Sequence, residues 1–140
     1  MRLFLVFLSL SLPGCGIVSE DEVARVTSPD GRVEAILVET NGGATTSFGY
    51  KVLVGERGRW FSTRQVAWLY GAGRNEHAYG ANLRWHSDTE LFVEYLEARE
   101  QELKERKAYV AGRNIEVVLK SGITDPAARA GGMLYNLRKR

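Results

Sequence analysis

Ser28-Pro29-Asp30-Gly31-Arg32-Val33-Glu34-Ala35-Ile36-Leu37-Val38-Glu39-Thr40 reads as a turn running straight into a strand. Proline suits the second position of a β-turn and glycine its close, so Ser28–Gly31 reverses the chain. Val33, Ala35 and Leu37 then alternate with Arg32, Glu34 and Ile36, the two-residue period of a strand with one covered face. With Val23–Thr27 ahead of the turn, the segment predicts a hairpin centred on Asp30-Gly31.

The same period recurs downstream. Asn41-Gly42-Gly43 breaks the second strand, and Phe48, Tyr50, Val52 and Val54 alternate in a third. After the turn at Glu56–Arg59, residues 60–70 form a fourth apolar stretch, and Gly71–His77 reads as a loop. Residues 82–86, the turn Ser87-Asp88-Thr89, and Leu91, Val93 and Tyr95 give further strands, with Ile115, Val117 and Leu119 in the closing one. Residues 97–107 differ in character. Glu100/Lys104 and Glu102/Arg106 are spaced four apart in the favourable order, which points to a short solvated helix, with a long charged hairpin as the alternative. Asp125–Arg129 starts a helical turn that Gly131-Gly132 ends. The predicted class is mainly β: an antiparallel sheet or small sandwich of about six strands with a short peripheral helix.

Upstream, Leu3–Leu12 is an apolar run of ten residues behind Arg2, where a membrane-spanning helix needs about 20. The run, followed by Pro13-Gly14 and the single cysteine, Cys15, has the layout of an export signal. Residues 1–14 are therefore expected to be removed, with residues 15–22 a lipidated cysteine and polar tether, 23–124 the β domain, and 125–140 a C-terminal turn or helix with a basic tail. A lone cysteine has no internal disulfide to make, and lipidation would consume the thiol. Two or more acyl chains would hold the chain firmly on a membrane.

Removing residues 1–14 from the 140 leaves 126, enough for one domain with its own core. The net charge of +2 falls to +1 with the loss of Arg2, so no overall field favours nucleic acid. Arg138-Lys139-Arg140 reads as a solvated terminus, with contact to anionic lipid or cell wall as the sharper alternative.

Leu12-Pro13-Gly14-Cys15 resembles the bacterial lipoprotein box. That resemblance implies lipid on Cys15, and Gly16 in place of Asp implies an outer-membrane address facing the periplasm. Ser28–Gly31, echoed by Trp85-His86-Ser87-Asp88, resembles the blade signature of TolB-type propellers. Four blades of about 40 residues do not fit in 126, which eliminates that fold. Ser28–Gly31, Gly42–Thr46, Tyr50, Trp85 and Asp88 together are similar to short exported bacterial domains of uncharacterised function, a likeness that carries no activity and no catalytic residue.

Chemically, Gly42, Gly43, Thr45, Thr46 and Ser47 form the densest segment: backbone amides and hydroxyls that can cradle an anion or ligand. The plainer alternative is a wide turn whose hydroxyls bond its own backbone. His77 and His86, with Glu76 and Asp88, have no spacing that requires a metal site, so no metal or cofactor is expected. Ser62, Ser87 and Ser121 sit in no nucleophile elbow, and Glu90, Glu94 and Glu97 read as a solvated strand face. The expectation is a non-enzymatic, membrane-tethered module that binds another envelope protein through an exposed sheet edge, or one with a structural role in the envelope. The alternative is a small envelope hydrolase or ligand-binding protein using the Gly42–Ser47 loop and a nearby histidine.

Overall fold

The Ser28–Gly31 turn forms as its residues dictate. In the computed structural model, which describes residues 18–128, Gly31 N–H donates to Ser28 C=O at 2.8 Å. Gly31 takes φ +76°, open to glycine at no steric cost. Ser28 seals the hairpin behind it: its N–H donates to Val33 C=O at 2.8 Å, and its hydroxyl oxygen accepts from Val33 N–H at 3.0 Å. The strands so joined are β1 (Ser19–Thr27) and β2 (Val33–Asn41).

β3 (Gly49–Glu56) and β4 (Arg64–Tyr70) continue the antiparallel meander, with a single 3₁₀ turn, Trp60–Ser62, between them. A two-residue hairpin follows, β5 (Arg74–Asn75) and β6 (Ala78–Tyr79). Then come β7 (Ala81–Trp85), β8 (Glu90–Tyr95), β9 (Glu100–Leu103), β10 (Lys107–Val110) and β11 (Arg113–Lys120). One sheet has the order β1-β2-β3-β4-β9 and the other β10-β11-β8-β7. Both contribute to one core: Val33, Ala35, Leu37, Val52, Val54, Val66 and Leu69 from the first, and Leu91, Val93, Ala108, Ile115 and Val117 from the second. The mainly β, antiparallel architecture is the expected one.

Three expectations are corrected. Residues 97–107 form neither a helix nor a projecting hairpin. β9 and β10 are one extended run, kinked at residues 104–106, that pairs first with β4 and then with β11. Lys104 and Glu105 N–H both donate to Val66 C=O, and Arg106 C=O accepts from Val117 N–H at 2.9 Å. The charges pair accordingly: Glu102 meets Lys104, two residues on, and Glu105 meets Arg64 across the sheet at 3.0 Å. Helical i,i+4 pairs contribute only a few tenths of a kcal/mol each, whereas the extended run buries Ala108 and Val110 and completes backbone ladders on two strands.

Second, one pair is parallel. β8 and β11 run the same way because β9–β10 carries the chain back in a single pass before the β10–β11 hairpin reverses it. Third, β1 begins at Ser19, so residues 19–22 are strand, not tether. Glu22 is buried and held by Arg25 at 2.8 Å. Near the C-terminus, Asp125 makes a side-chain-capped turn, accepting from Ala127 N–H at 2.8 Å, and the rest of the expected helix and tail lies outside the described residues. Cys15 and the apolar run also lie outside them. Among the described residues, no helix is long and apolar enough to cross a membrane.

Candidate functional site

The strand registers sort the loops to two ends. Ser19 pairs with Asn41 and Gly49 with Tyr70, which puts the Gly42–Ser47 loop and the β5–β6 hairpin at the end where β1 starts. Thr27 pairs with Glu34, Val33 with Glu56 and Val110 with Arg113, which puts the 28–32, 56–59 and 111–112 turns at the opposite end.

At that far end lies an open groove of about 490 Å³, lined by Gly31, Arg32, Glu56, Arg57, Ala111 and Gly112. Arg57 N–H donates to Arg32 C=O at 2.9 Å, fixing the two arginines side by side at the ends of adjacent strands. The opposing wall is the two-residue turn Ala111-Gly112, both at positive φ (51° and 80°), as a tight primed hairpin turn requires. Other cations of this end are matched to acids, Arg113 to Asp30 and Arg59 to Glu56. Both groove arginines are exposed, and among the described residues neither has a carboxylate within ion-pair distance.

The near end holds a buried acid. The alternation that turns Val33, Ala35 and Leu37 inward carries on to Glu39, whose side chain is fully buried. Asp21 and Tyr50 are its cross-strand partners on either side. Arg74, from the β5–β6 hairpin, brings its Nη1 to 3.7 Å from Glu39 Oε1, with its guanidinium 4.2 Å from the Phe48 ring centre and 5.0 Å from that of Tyr79. Among the described residues, neither Glu39 oxygen nor the Tyr50 hydroxyl has a hydrogen-bond partner. Burial pushes the Glu39 carboxyl up to about 7; the Tyr50 hydroxyl, close by but outside hydrogen-bond geometry, and the Arg74 charge pull it back, and Asp21 adds to the rise. Tyr50 is driven upward by its own burial and by Glu39, and stays neutral.

The sequence-nominated residues do not converge. In the Gly42–Ser47 loop, Gly43 N–H donates to Asn41 Oδ1 at 2.9 Å, Thr46 N–H and hydroxyl both donate to Gly43 C=O, and Ser47 N–H donates to Tyr70 Oη at 3.0 Å. Three of its amides and a hydroxyl are thus turned onto acceptors of the protein itself; Gly42 and Thr45 are exposed beside them. His77, at the β5–β6 turn, faces Glu76, whereas His86 stacks on Phe92 at 4.9 Å near Glu90. Ser62 and Ser87 serve local turns, Ser62 donating to Arg59 C=O and Ser87 accepting from Thr89 N–H, whereas Ser121 meets the Tyr95 hydroxyl. Glu94 pairs with Arg84 on the outer face of β8. Among the described residues no three His, Cys, Asp or Glu side chains gather as a metal would need.

Two features escaped sequence reasoning. Glu39 stands in phase with Val33, Ala35 and Leu37, a signal that could have placed its carboxylate inside. Its partner Arg74 is 35 positions away and carried no signal. Arg32 and Arg57 look like any surface arginines until each neighbouring arginine is matched to its acid.

No family model, no curated protein and no solved structure matches this chain.

Proposed function

We propose that this protein is a lipid-anchored bacterial envelope domain, held through Cys15 and presenting its far end to another envelope protein, without catalytic activity of its own. The support comes from where the chain enters the fold. β1 starts at Ser19, four residues after Cys15, a reach of at most about 14 Å. A lipid on Cys15 would hold the Ser19 end against the bilayer and turn the arginine groove outward.

Two features of the sheet edges favour that groove over an edge as the docking surface. β9 is a short edge bearing Glu100 and Glu102, the charged guarding that discourages strand addition. The β1 edge is tied at its far end to β7 by Trp85 Nε1 donating to Val26 C=O at 3.2 Å.

Two measurements on the full chain in a double-membraned bacterium test this. Palmitate incorporation and membrane fractionation should both be lost in Cys15→Ser, and globomycin should cause unprocessed protein to accumulate. Membrane retention of the unlabelled variant sinks the anchor. A photo-crosslinking residue at Gly58 should trap a defined envelope protein that the same residue at Thr45, at the near end, does not; equal yields from both positions sink the orientation.

A further inference from the structure

We infer that the far-end groove is a recognition site for an acidic peptide segment, held by Arg32 and Arg57. The inference deepens the partner-binding reading, resting on it for the partner's being a protein. The chemistry of recognition belongs to the groove alone.

Charge complementarity carries the argument. An arginine already paired with a carboxylate has little left to offer a ligand. Arg113 is committed to Asp30, Arg59 to Glu56 and Arg64 to Glu105. Among the described residues of this end, Arg32 and Arg57 remain, adjacent and exposed, over one concave surface. A guanidinium offers a planar fork that matches a carboxylate in two parallel hydrogen bonds, and concave walls concentrate the field of two like charges. The guanidinium of Arg57 lies close over Gly31, so the first wall is a backbone turn with an arginine across it. The second wall is bare: at Gly112 no heavy atom lies within 4 Å of where a side chain would begin. Bare turns let an extended main chain approach closely, which bulky walls would prevent.

Size favours a peptide over a lone oxoanion. A groove of about 490 Å³ is in the range of ligand clefts, roughly 300–1,000 Å³, and far exceeds one phosphate. Phe61, 73% exposed in the β3–β4 connection of the same end, offers an apolar contact beside the charges.

The test is fluorescence anisotropy of the full-length protein in neutral detergent, with a capped, fluorescein-labelled tetra-glutamate peptide as probe. Binding should weaken several-fold as salt rises from about 50 to 200 mM, because both arginines are exposed to screening. A tetra-glutamine peptide should bind at least about tenfold more weakly. Arg32→Gln with Arg57→Gln should lower affinity at least about tenfold, and Arg84→Gln on the outer face of β8's neighbour β7 should not. Should the double variant fail to fold, Arg57→Gln alone should give a loss of about threefold. Equal binding of the two peptides, or full affinity in the arginine variants, overturns the site. Inorganic phosphate that displaces the peptide at equal concentration makes this a small-anion site and overturns the peptide assignment. None of these outcomes depends on Cys15, so failure of the anchor and failure of the groove are separately readable.

Discussion

The backbone N–H of Asp30 donates to Asp88 Oδ1 at 2.8 Å, joining two turns 58 positions apart. Each turn belongs to a different sheet, the first linking β1 to β2 and the second linking β7 to β8. Asp30 Oδ1 meanwhile accepts from the Ser28 hydroxyl at 2.7 Å and from Arg32 N–H at 3.2 Å, and its other oxygen meets Arg113. The two motifs that echo each other in sequence are thus in contact, and with Trp85 on Val26 they stitch the β1 and β7 edges together.

Asp88→Ala should therefore remove an acceptor without disturbing its own turn, where Ser87 caps Thr89. We expect a loss of about 1 kcal/mol in urea unfolding, with Asp88→Asn retaining most of it because its side-chain oxygen still accepts. Equal losses in both variants would mean that charge, not the hydrogen bond, joins the turns.

Glu39 makes stability depend on pH with an unusual sign. Its folded pKa, about 7, lies above the ordinary value of 4.5, so the folded state holds the proton more tightly. The contribution is fully present below about pH 4.5 and is lost as pH rises through 7. The span should be on the order of 3 kcal/mol. Glu39→Gln should flatten the difference between unfolding midpoints at pH 5 and pH 8; an unchanged slope in that variant rejects the assignment.

Gly80 sits at φ +71°, and a Cβ there would stand 2.2 Å from the Tyr50 ring, inside any permissible contact. Tyr50 is fully buried and has no room to retreat. Gly80→Ala should cost about 2 kcal/mol or more from strain and displacement together, read as a fall in melting temperature. A melting point within a degree of the parent's would show that the β5–β6 hairpin is not packed on Tyr50 in solution.

Leu37 is 2% exposed at the centre of β2, facing the second sheet. Leu37→Ala should cost about 2–4 kcal/mol, whereas Val38→Ala on the opposite face of the same strand should cost under about 1. Similar values at both positions would contradict the assigned inward face.

Period-two alternation and turn residues made the strands readable one at a time. β2, β3, β8 and β11 stand where Val33–Leu37, Tyr50–Val54, Leu91–Tyr95 and Ile115–Leu119 put them. The 97–107 segment misled because its charges satisfy helical spacing equally well. What settles it is Val66, 38 positions before Lys104, and Val117, 11 positions after Arg106, whose backbone groups receive the run. The arginine groove was illegible for a related reason. A guanidinium is available or spent according to which carboxylate folds beside it, and Asp30 for Arg113 is a choice spanning 83 positions.

By itself, then, the sequence determined a β chain, its main turns, the inward file of each strand, and the Cys15 motif that motivates the anchor. Alternation says which side chains share a face, because successive residues in a strand point oppositely. It is silent on which strands become neighbours, since ladder hydrogen bonds join backbone groups that every residue carries alike. Tertiary structure alone decided that β9 and β10 serve different sheets, that β8 and β11 run parallel, that Glu39 is sealed beneath Arg74, and that among the described residues Arg32 and Arg57 are left without acids.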